Sequence, residues 1–299
     1  MRNIPNFSKK KLQFYILTVI ALVLAAFAAI TFPKNNPEIT GNLQVIFVDV
    51  DQGDATFIRT PSGETILIDG GEYDTYDTHL APFLREQGIQ SIDAAIVTHY
   101  HSDHMGGIQS LTKDGGVKTL ILPDYSDTDK SKKYLEQAAS DNGSKIQYVS
   151  AGDTIETSCE GLSIKVLHPA KGGSEGNNFH NNSSLVLHIS YGKTSFLITG
   201  DIETRVEKEL VENSDIECDV LKVAHHGSSS SSSKKFIQAA DPTYAIISVG
   251  KDNSYGHPHH ETLDILDNED IRVYRTDTDG SITFDVTPEG IKDISFSKS

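Results

Sequence analysis

A chain of 299 residues, 37% hydrophobic and 23% charged, carries enough apolar material for a large core, which excludes a disordered or low-complexity protein. Its formal net charge of −16, from 42 acidic against 26 basic residues, excludes a binder that relies on a broad basic surface; a polyanion is repelled at long range unless metal ions or a local basic patch reverse the field. Two cysteines, Cys159 and Cys218, exclude a disulfide framework and are expected to be buried, with a single pairing as the alternative.

Residues 14 to 32, FYILTVIALVLAAFAAITF, are uncharged and as a helix would reach about 28 Å, enough to cross a bilayer's hydrocarbon core. Arg2, Lys9, Lys10 and Lys11 precede this run with no acidic residue among them, which keeps the N-terminus cytoplasmic and sends the rest outside. The expectation is a stub and signal anchor over residues 1–33, a polar tether over 34–42, and one extracytoplasmic domain over 43–299 at the cell membrane. Cleavage at Ala26-Phe27-Ala28 would secrete that domain instead.

Beyond the tether, LQVIFVDV (43–50), DATFIRT (54–60) and TILIDGG (65–71) read as buried strands. A helix is expected from Asp77 to Gln87, ended by Gly88, and then DAAIVTH (93–99) as a strand that delivers HYHSDHMGG at its end. VKTLILP, a helix over about 129–140, KIQYVS and the hairpin DTIETSCEGLSIKVLHP continue an α/β alternation. SSLVLHISYGKTSFLITGD (183–201) then answers DATFIRTPSGETILIDGG, with Gly192-Lys193-Thr194 matching Gly63-Glu64-Thr65. A helix (202–212), DVLKVAHHG, helices near 234–240 and from about 260, TYAIISVG, and IRVYRT joined to SITFDV by DTDG complete a pseudo-duplicated pattern. It predicts two stacked sheets with helices outside.

The spacing in HYHSDH asks for metal. His99 and His101, two apart on extended backbone, point to one side and can share a divalent ion; Asp103 and His104 follow at the turn, placed for a second. Gly106 and Gly107 let the next helix approach closely. Asp201, at the end of SFLITGD, is the expected bridging carboxylate. His225 and His226 end a strand, so one is expected to be a ligand and the other to face substrate; His180, Asn181 and Asn182 compete for the remaining position.

HYHSDH followed by ITGD and HHG resembles the metallo-β-lactamase-fold hydrolases, and VDVDQGDATFI, LIDGG, DVLKVAHHGSSSSS, ISVGKDNSYGHP and YRTDTDGSI are similar to the C-terminal hydrolase domain of ComEC-type competence proteins. The resemblance covers nearly all of residues 43 to 286. It implies an αββα sandwich of two mixed sheets, two divalent ions (zinc or manganese), and an extracytoplasmic phosphodiesterase or nuclease acting on DNA or another phosphodiester. It also implies that Asp51, Asp54, Asp69, Asn182, Ser228 and His257 lie around the pocket. One apolar segment stands where that family has a multi-span channel, so import of DNA by this chain itself is not expected. Asparagines stand where a third histidine is usual before ITGD, leaving His180, Asn182 or water to fill that place, and a poorer nitrogen set favours manganese there.

The expected mechanism is attack by a metal-bound hydroxide, with Asp103 and Asp201 on the ions, Asp69 orienting a liganding histidine, and His226 or His257 protonating the leaving oxygen. His225 is carried as a candidate metal ligand; Lys222 is expected to serve as a phosphate contact beside Lys234 and Lys235, and Asp54, Asn182 and Ser228 as further substrate contacts. The tract Ser228–Ser233 reads as a substrate loop or a solvated connector, His79, His168 and His188 as structural, and TDTDG (276–280) as a turn rather than a calcium loop. The rival readings are a phosphorylcholine esterase on surface polymers, a β-lactamase, and a non-catalytic surface binding module. No protein partner is inferred.

Overall fold

The computed structural model describes residues 41–125, 130–174 and 176–298. Among these, fifteen strands and seven α-helices follow in chain order: β1 (Leu43–Phe47), β2 (Thr56–Arg59), β3 (Thr65–Ile68), α1 (Leu80–Glu86), β4 (Ile92–Ile96), α2 (Ser102–Lys113), β5 (Val117–Pro123), α3 (Lys130–Asp141), β6 (Lys145–Val149), β7 (Thr154–Ile155), β8 (Leu162–His168), β9 (Val186–Tyr191), β10 (Thr194–Ile198), α4 (Thr204–Asn213), β11 (Val220–Lys222), α5 (Lys234–Ala240), β12 (Tyr244–Ile247), α6 (His260–Asn268), β13 (Arg272–Arg275), α7 (Thr276–Asp279), β14 (Ile282–Thr287) and β15 (Gly290–Phe296). The apolar segment at 14–32 and all of the tether but Gly41 and Asn42 lie outside the described residues; among the described ones no helix is long and apolar enough to cross a membrane.

The strands form an eight-stranded sheet, β15-β14-β1-β2-β3-β4-β5-β6, and a seven-stranded sheet, β13-β12-β11-β10-β9-β8-β7. Runs β1 to β6 and β8 to β13 repeat one pattern, two antiparallel pairings followed by three parallel ones. The duplication read from the glycine hairpins is thus a property of the sheets. Every residue of β2, β3 and β11 is buried, because each sheet is covered on both faces, which is why these strands read as unbroken apolar runs.

Between the sheets, Phe47 and Phe284 of one meet Phe196 of the other, with Phe284 edge-on to each at 6.0 and 5.8 Å. Leu80, Ile108, Leu111 and Leu135 of α1 to α3 cover the outer face of the first sheet. Val206, Leu210, Phe236 and Leu266 of α4 to α6 cover that of the second. The result is the expected αββα layering, with two mixed sheets.

Several local expectations need correction. The first helix begins at Leu80 rather than Asp77, after a series of turns. TDTDG is a single helical turn whose acids are used internally: Asp277 pairs with the Arg275 guanidinium, and Asp279 accepts the Arg275 N–H at 2.7 Å. The strand expected over 219–227 stops at Lys222; Ala224–Gly227 is a tight 3-10 turn in which His225 (φ 52°) and His226 (φ 53°) both adopt left-handed backbone. Strand alternation therefore does not govern which imidazole faces the site. Strand β15, paired antiparallel to β14 along the sheet edge, was not anticipated.

Candidate metal centre

Equivalent strand ends in the two halves deliver the site. Asp69 follows β3 and Asp201 follows β10; His99 to His104 follow β4, and His225 and His226 follow β11. Asp69 sits at φ 57°, a conformation an aspartate tolerates, and turns its carboxylate inward. There it accepts the Thr98 N–H (2.8 Å), the Thr98 hydroxyl (2.7 Å) and the His104 Nδ1–H (2.8 Å). The glycines flanking these motifs lie against each other: a Cβ on Gly107 would stand 2.0 Å from the Gly70 carbonyl oxygen, and one on Gly53 would stand 2.4 Å from that of Asp103. Close backbone approach lets Gly70 N–H reach the His104 carbonyl (2.7 Å) and Asp54 N–H that of Asp103 (3.1 Å), so α2 begins where its side chains enter the site.

Two triads face one another. His99, His101 and Asp201 form one, and Asp103, His104 and His226 the other, each offering ligand atoms within 4.8 Å of one another. Asp201 stands between them, with Oδ1 3.3 Å from His104 Nε2 and Oδ2 3.9, 3.8 and 3.8 Å from Nε2 of His99, His225 and His226. In a third grouping, Asp54, Asp69 and His104, Asp69 already accepts the His104 Nδ1–H and Asp54 pairs with Lys222.

The tautomers suit metal binding. His226 Nδ1–H donates to the Ser248 carbonyl (2.9 Å), His104 Nδ1–H to Asp69, and His99 Nδ1 faces the Thr98 hydroxyl oxygen (3.1 Å), which turns all three Nε2 atoms into the site. His104 Nε2, His226 Nε2 and Asp201 Oδ1 are buried with no hydrogen-bond partner, and His99 Nε2 lies 3.1 Å from His101 Nδ1. Convergent, unpartnered nitrogen and carboxylate donors of this kind fit divalent cations.

The electrostatics agree. Asp54, Asp69, Asp103 and Asp201 lie among the site histidines, and Lys222 pairs with Asp54 alone, leaving a surplus of negative charge that imidazolium or metal must balance. Burial would lower His226, but Asp201 and Asp54 outweigh it and push it up to about 10. Burial likewise opposes charge on His104, yet Asp201, Asp103 and Asp69 hold it well above the usual range. Burial alone would raise Asp201, whereas His104 and His226 hold it well below the ordinary carboxylate range. Burial and then the His104 charge push His99 well down, and burial lowers His101, so both are neutral as ligation requires. His257 falls to about 4 through burial and the neighbouring His226 and His225.

A pocket of about 310 Å³ opens onto this centre, lined by His101, Asp103, Asp201, His225, His226 and His257, and also by Gln52, Glu72, Ser102, Asn181 and Tyr255. His180 lies beside it, its ring 5.4 Å from that of His101. Both His225 and His226 reach Asp201, but His226 is buried and held at Nδ1 by a carbonyl, whereas His225 is part-exposed with Nδ1 3.2 Å from the Ser230 hydroxyl. Of the two, His226 is thus the better placed to be a ligand, with His225 facing the pocket.

Five expected substrate contacts lie outside the pocket lining. Lys222 is 0% exposed, with Nζ 2.8 Å from Asp54 Oδ2 and 3.0 Å from the Val223 carbonyl, so neither Lys222 nor Asp54 meets solvent. Asn182 gives its amide to Glu203 (3.0 Å) and accepts the Glu203 N–H (3.2 Å), leaving Asn181 to line the pocket. Ser228 is buried against Ser230. Lys234 is paired with Glu269 at 3.0 Å. Asp51 is exposed but does not line the pocket. The serine tract is braced in its second half: the Ser232 and Ser233 N–H groups donate to buried Glu207 and the Ser231 hydroxyl to the Ile202 carbonyl (2.7 Å), while Ser229 and Ser230 are exposed. Both cysteines are buried and free, and His168 is structural, bonded to the Asn182 carbonyl at 2.9 Å.

Residues 48–251 match the family described as the metallo-beta-lactamase superfamily, and the chain belongs to that superfamily. Fold and site together define a metal-dependent hydrolase of this class. The chain is 36% identical over 265 residues to ComE operon protein 3 of Bacillus subtilis (strain 168), covering 83% of this chain and 34% of that protein. It is 30% identical over 276 residues to Competence protein ComA of Neisseria gonorrhoeae, covering 91% of this chain and 36% of that one. Its homologues are thus ComEC-type competence proteins, and the chain spans about a third of their length. The crystal structure of unliganded yeast PDE1 superposes with a TM-score of 0.54 over 82% of this chain and 100% of that one at 11% identity, a likeness of fold alone.

Proposed function

We propose that the protein is a metal-dependent phosphodiesterase that cleaves DNA outside the cytoplasm, held at the membrane by residues 14–32. The observation that carries this reading is the pair of histidine and aspartate triads meeting at Asp201, and similarity to competence proteins favours DNA as the substrate. Zinc or manganese held there would polarise a water molecule and the non-bridging oxygens of a phosphodiester. His99, His101, Asp103, His104, Asp201 and His226 would hold the ions, with His225 and His180 beside them. Asp69 fixes the His104 tautomer. His257, which lines the pocket with a buried Nδ1 lacking a hydrogen-bond partner, would serve as a hydrogen-bonding group at the leaving oxygen.

The test uses the full chain in detergent, stripped of metal and reloaded with manganese or zinc, on linear DNA, bis-p-nitrophenyl phosphate and p-nitrophenyl phosphorylcholine. DNA cleavage that disappears in Asp103→Ala supports the reading. Turnover of the choline ester alone replaces it with surface-polymer processing.

A further inference from the structure

Tyr255 is the most exposed large apolar side chain among the described residues, at 65%, and it lies at the mouth of the metal centre. The other strongly exposed aromatic rings, Tyr73, Tyr134, Tyr148 and Phe296, do not line that pocket. What sets this ring apart is its place at the pocket mouth, where it is open to a ligand of the metal centre.

The ring is aligned. It lies 5.6 Å from the His257 ring at an interplanar angle of 20°, and His257 lies 6.3 Å from His226 at 24°. Three nearly parallel rings therefore step outward from a buried ligand histidine to an exposed tyrosine. The loop that carries them is braced by one side chain: Asn253 Oδ1 accepts the N–H groups of Tyr255 (3.2 Å) and His257 (3.0 Å), and Asn253 Nδ2 donates to the carbonyls of Gly250 (3.0 Å) and His257 (2.7 Å). The platform is thus built before any ligand arrives, with little ordering entropy left to spend on binding.

Resting on the phosphodiesterase reading above, we propose that Tyr255 is a stacking platform for a nucleobase next to the scissile phosphate, so that the site takes single-stranded nucleic acid. A flat aromatic ring continues the tier by one step, and stacking is indifferent to sequence because every base has a π-face. In a duplex the bases are stacked on one another, so only an unpaired one reaches the ring. A quaternary ammonium group would instead call for a cage of several aromatic rings, whereas the neighbours here are the imidazoles of His225 and His257. Stacking also resolves the charge problem. A chain of net charge −16 gains little from long-range attraction to DNA, and a short-range uncharged contact supplies affinity where the field does not.

The test compares Tyr255→Ala and Tyr255→Phe in the metal-loaded full chain. The substrates are a fluorescent single-stranded oligonucleotide and the same oligomer with abasic residues throughout. Binding is read by anisotropy in an Asp103→Ala background, and kcat and KM are read without that change. Tyr255→Ala is expected to weaken binding of the base-bearing oligomer and raise its KM by about tenfold or more, while kcat and abasic binding stay nearly unchanged and Tyr255→Phe behaves as the parent. Equal losses on both oligomers, or a phenylalanine variant as weak as the alanine one, would overturn the proposal. So would a raised KM of Tyr255→Ala for p-nitrophenyl phosphorylcholine with no effect on the oligomer. If the parent cuts no DNA but base-dependent binding still vanishes in Tyr255→Ala, the platform stands and the phosphodiesterase reading falls.

Discussion

The Lys222 ammonium lies 2.8 Å from a carboxylate oxygen of Asp54, with both side chains closed off from solvent behind the metal centre. Burial would raise Asp54, yet Lys222 and then His226 hold it at about 2. The other Asp54 oxygen lies 3.3 Å from His226 Nδ1, so the pair braces the turn that presents this imidazole. Replacing Lys222 by methionine leaves a buried carboxylate without its cation, which is expected to cost about 3–5 kcal/mol. The double variant Lys222→Met/Asp54→Leu should recover most of that loss. Urea unfolding of the three proteins checks this; a single variant as stable as the parent would show that the pair is not structural.

Asp69 is expected to matter through His104 rather than through substrate. Its carboxylate accepts from Thr98 twice and from His104 once, and an asparagine cannot place oxygens toward all three donors. Asp69→Asn should lower metal affinity by about 10- to 100-fold. Chelator competition reads the change directly, and excess metal should restore activity if positioning is all that was lost.

What could be read from residues alone was the order of strands and the ligands that follow strand ends, because both rest on local pattern: apolar runs, glycine turns, and histidines two apart on extended chain. That Gly106 and Gly107 admit a close backbone approach was legible for the same reason, though not that Gly70 is what Gly107 meets. What could not be read was direction. Lys222 and Asp54 read as pocket groups because charged side chains seldom face inward, and their partnership spans residues far apart in sequence. Asn182 turned to Glu203 rather than the pocket for a similar non-local reason. The left-handed turn at His225 and His226 has no glycine at either position to announce it. Tyr255 had one signal, its place two residues before His257 in a loop rich in turn formers.

Protons and metal should compete at the site, with a sign that follows from the shifts. His226 rises from 6.5 to about 10 and His104 is also raised, so in the metal-free protein their contribution to stability is fully present below the unfolded value and is lost as pH climbs through the raised one. Asp54, Asp103 and Asp201 are lowered, and their contribution is lost as pH falls below the usual carboxylate range. The melting temperature of the stripped protein should therefore fall from about pH 6.5 toward about pH 10. Metal affinity should rise over the same interval, with proton release on binding. Calorimetry in two buffers of different ionisation enthalpy counts those protons, and a count of zero at pH 7 would contradict the raised imidazoles.

Glu207 offers a sharp test of how the serine tract works. Its buried carboxylate receives the N–H groups of Ser232 and Ser233, the latter at 2.9 Å, just where α5 begins. Burial pushes its pKa up, so those two donors are what makes the position tenable for a carboxylate. Glu207→Ala strands both, at about 1–3 kcal/mol for each buried N–H left unpaired. Ser230, whose hydroxyl lies 3.2 Å from His225 Nδ1, should loosen with them. Hydrogen exchange is expected to quicken at Ser232 and Ser233 and the melting temperature to fall. Ser229→Ala, at an exposed position outside this clamp, should change neither. If the tract instead held substrate directly, Ser229→Ala would raise KM while Glu207→Ala left it alone, so the two variants separate a brace from a binding loop.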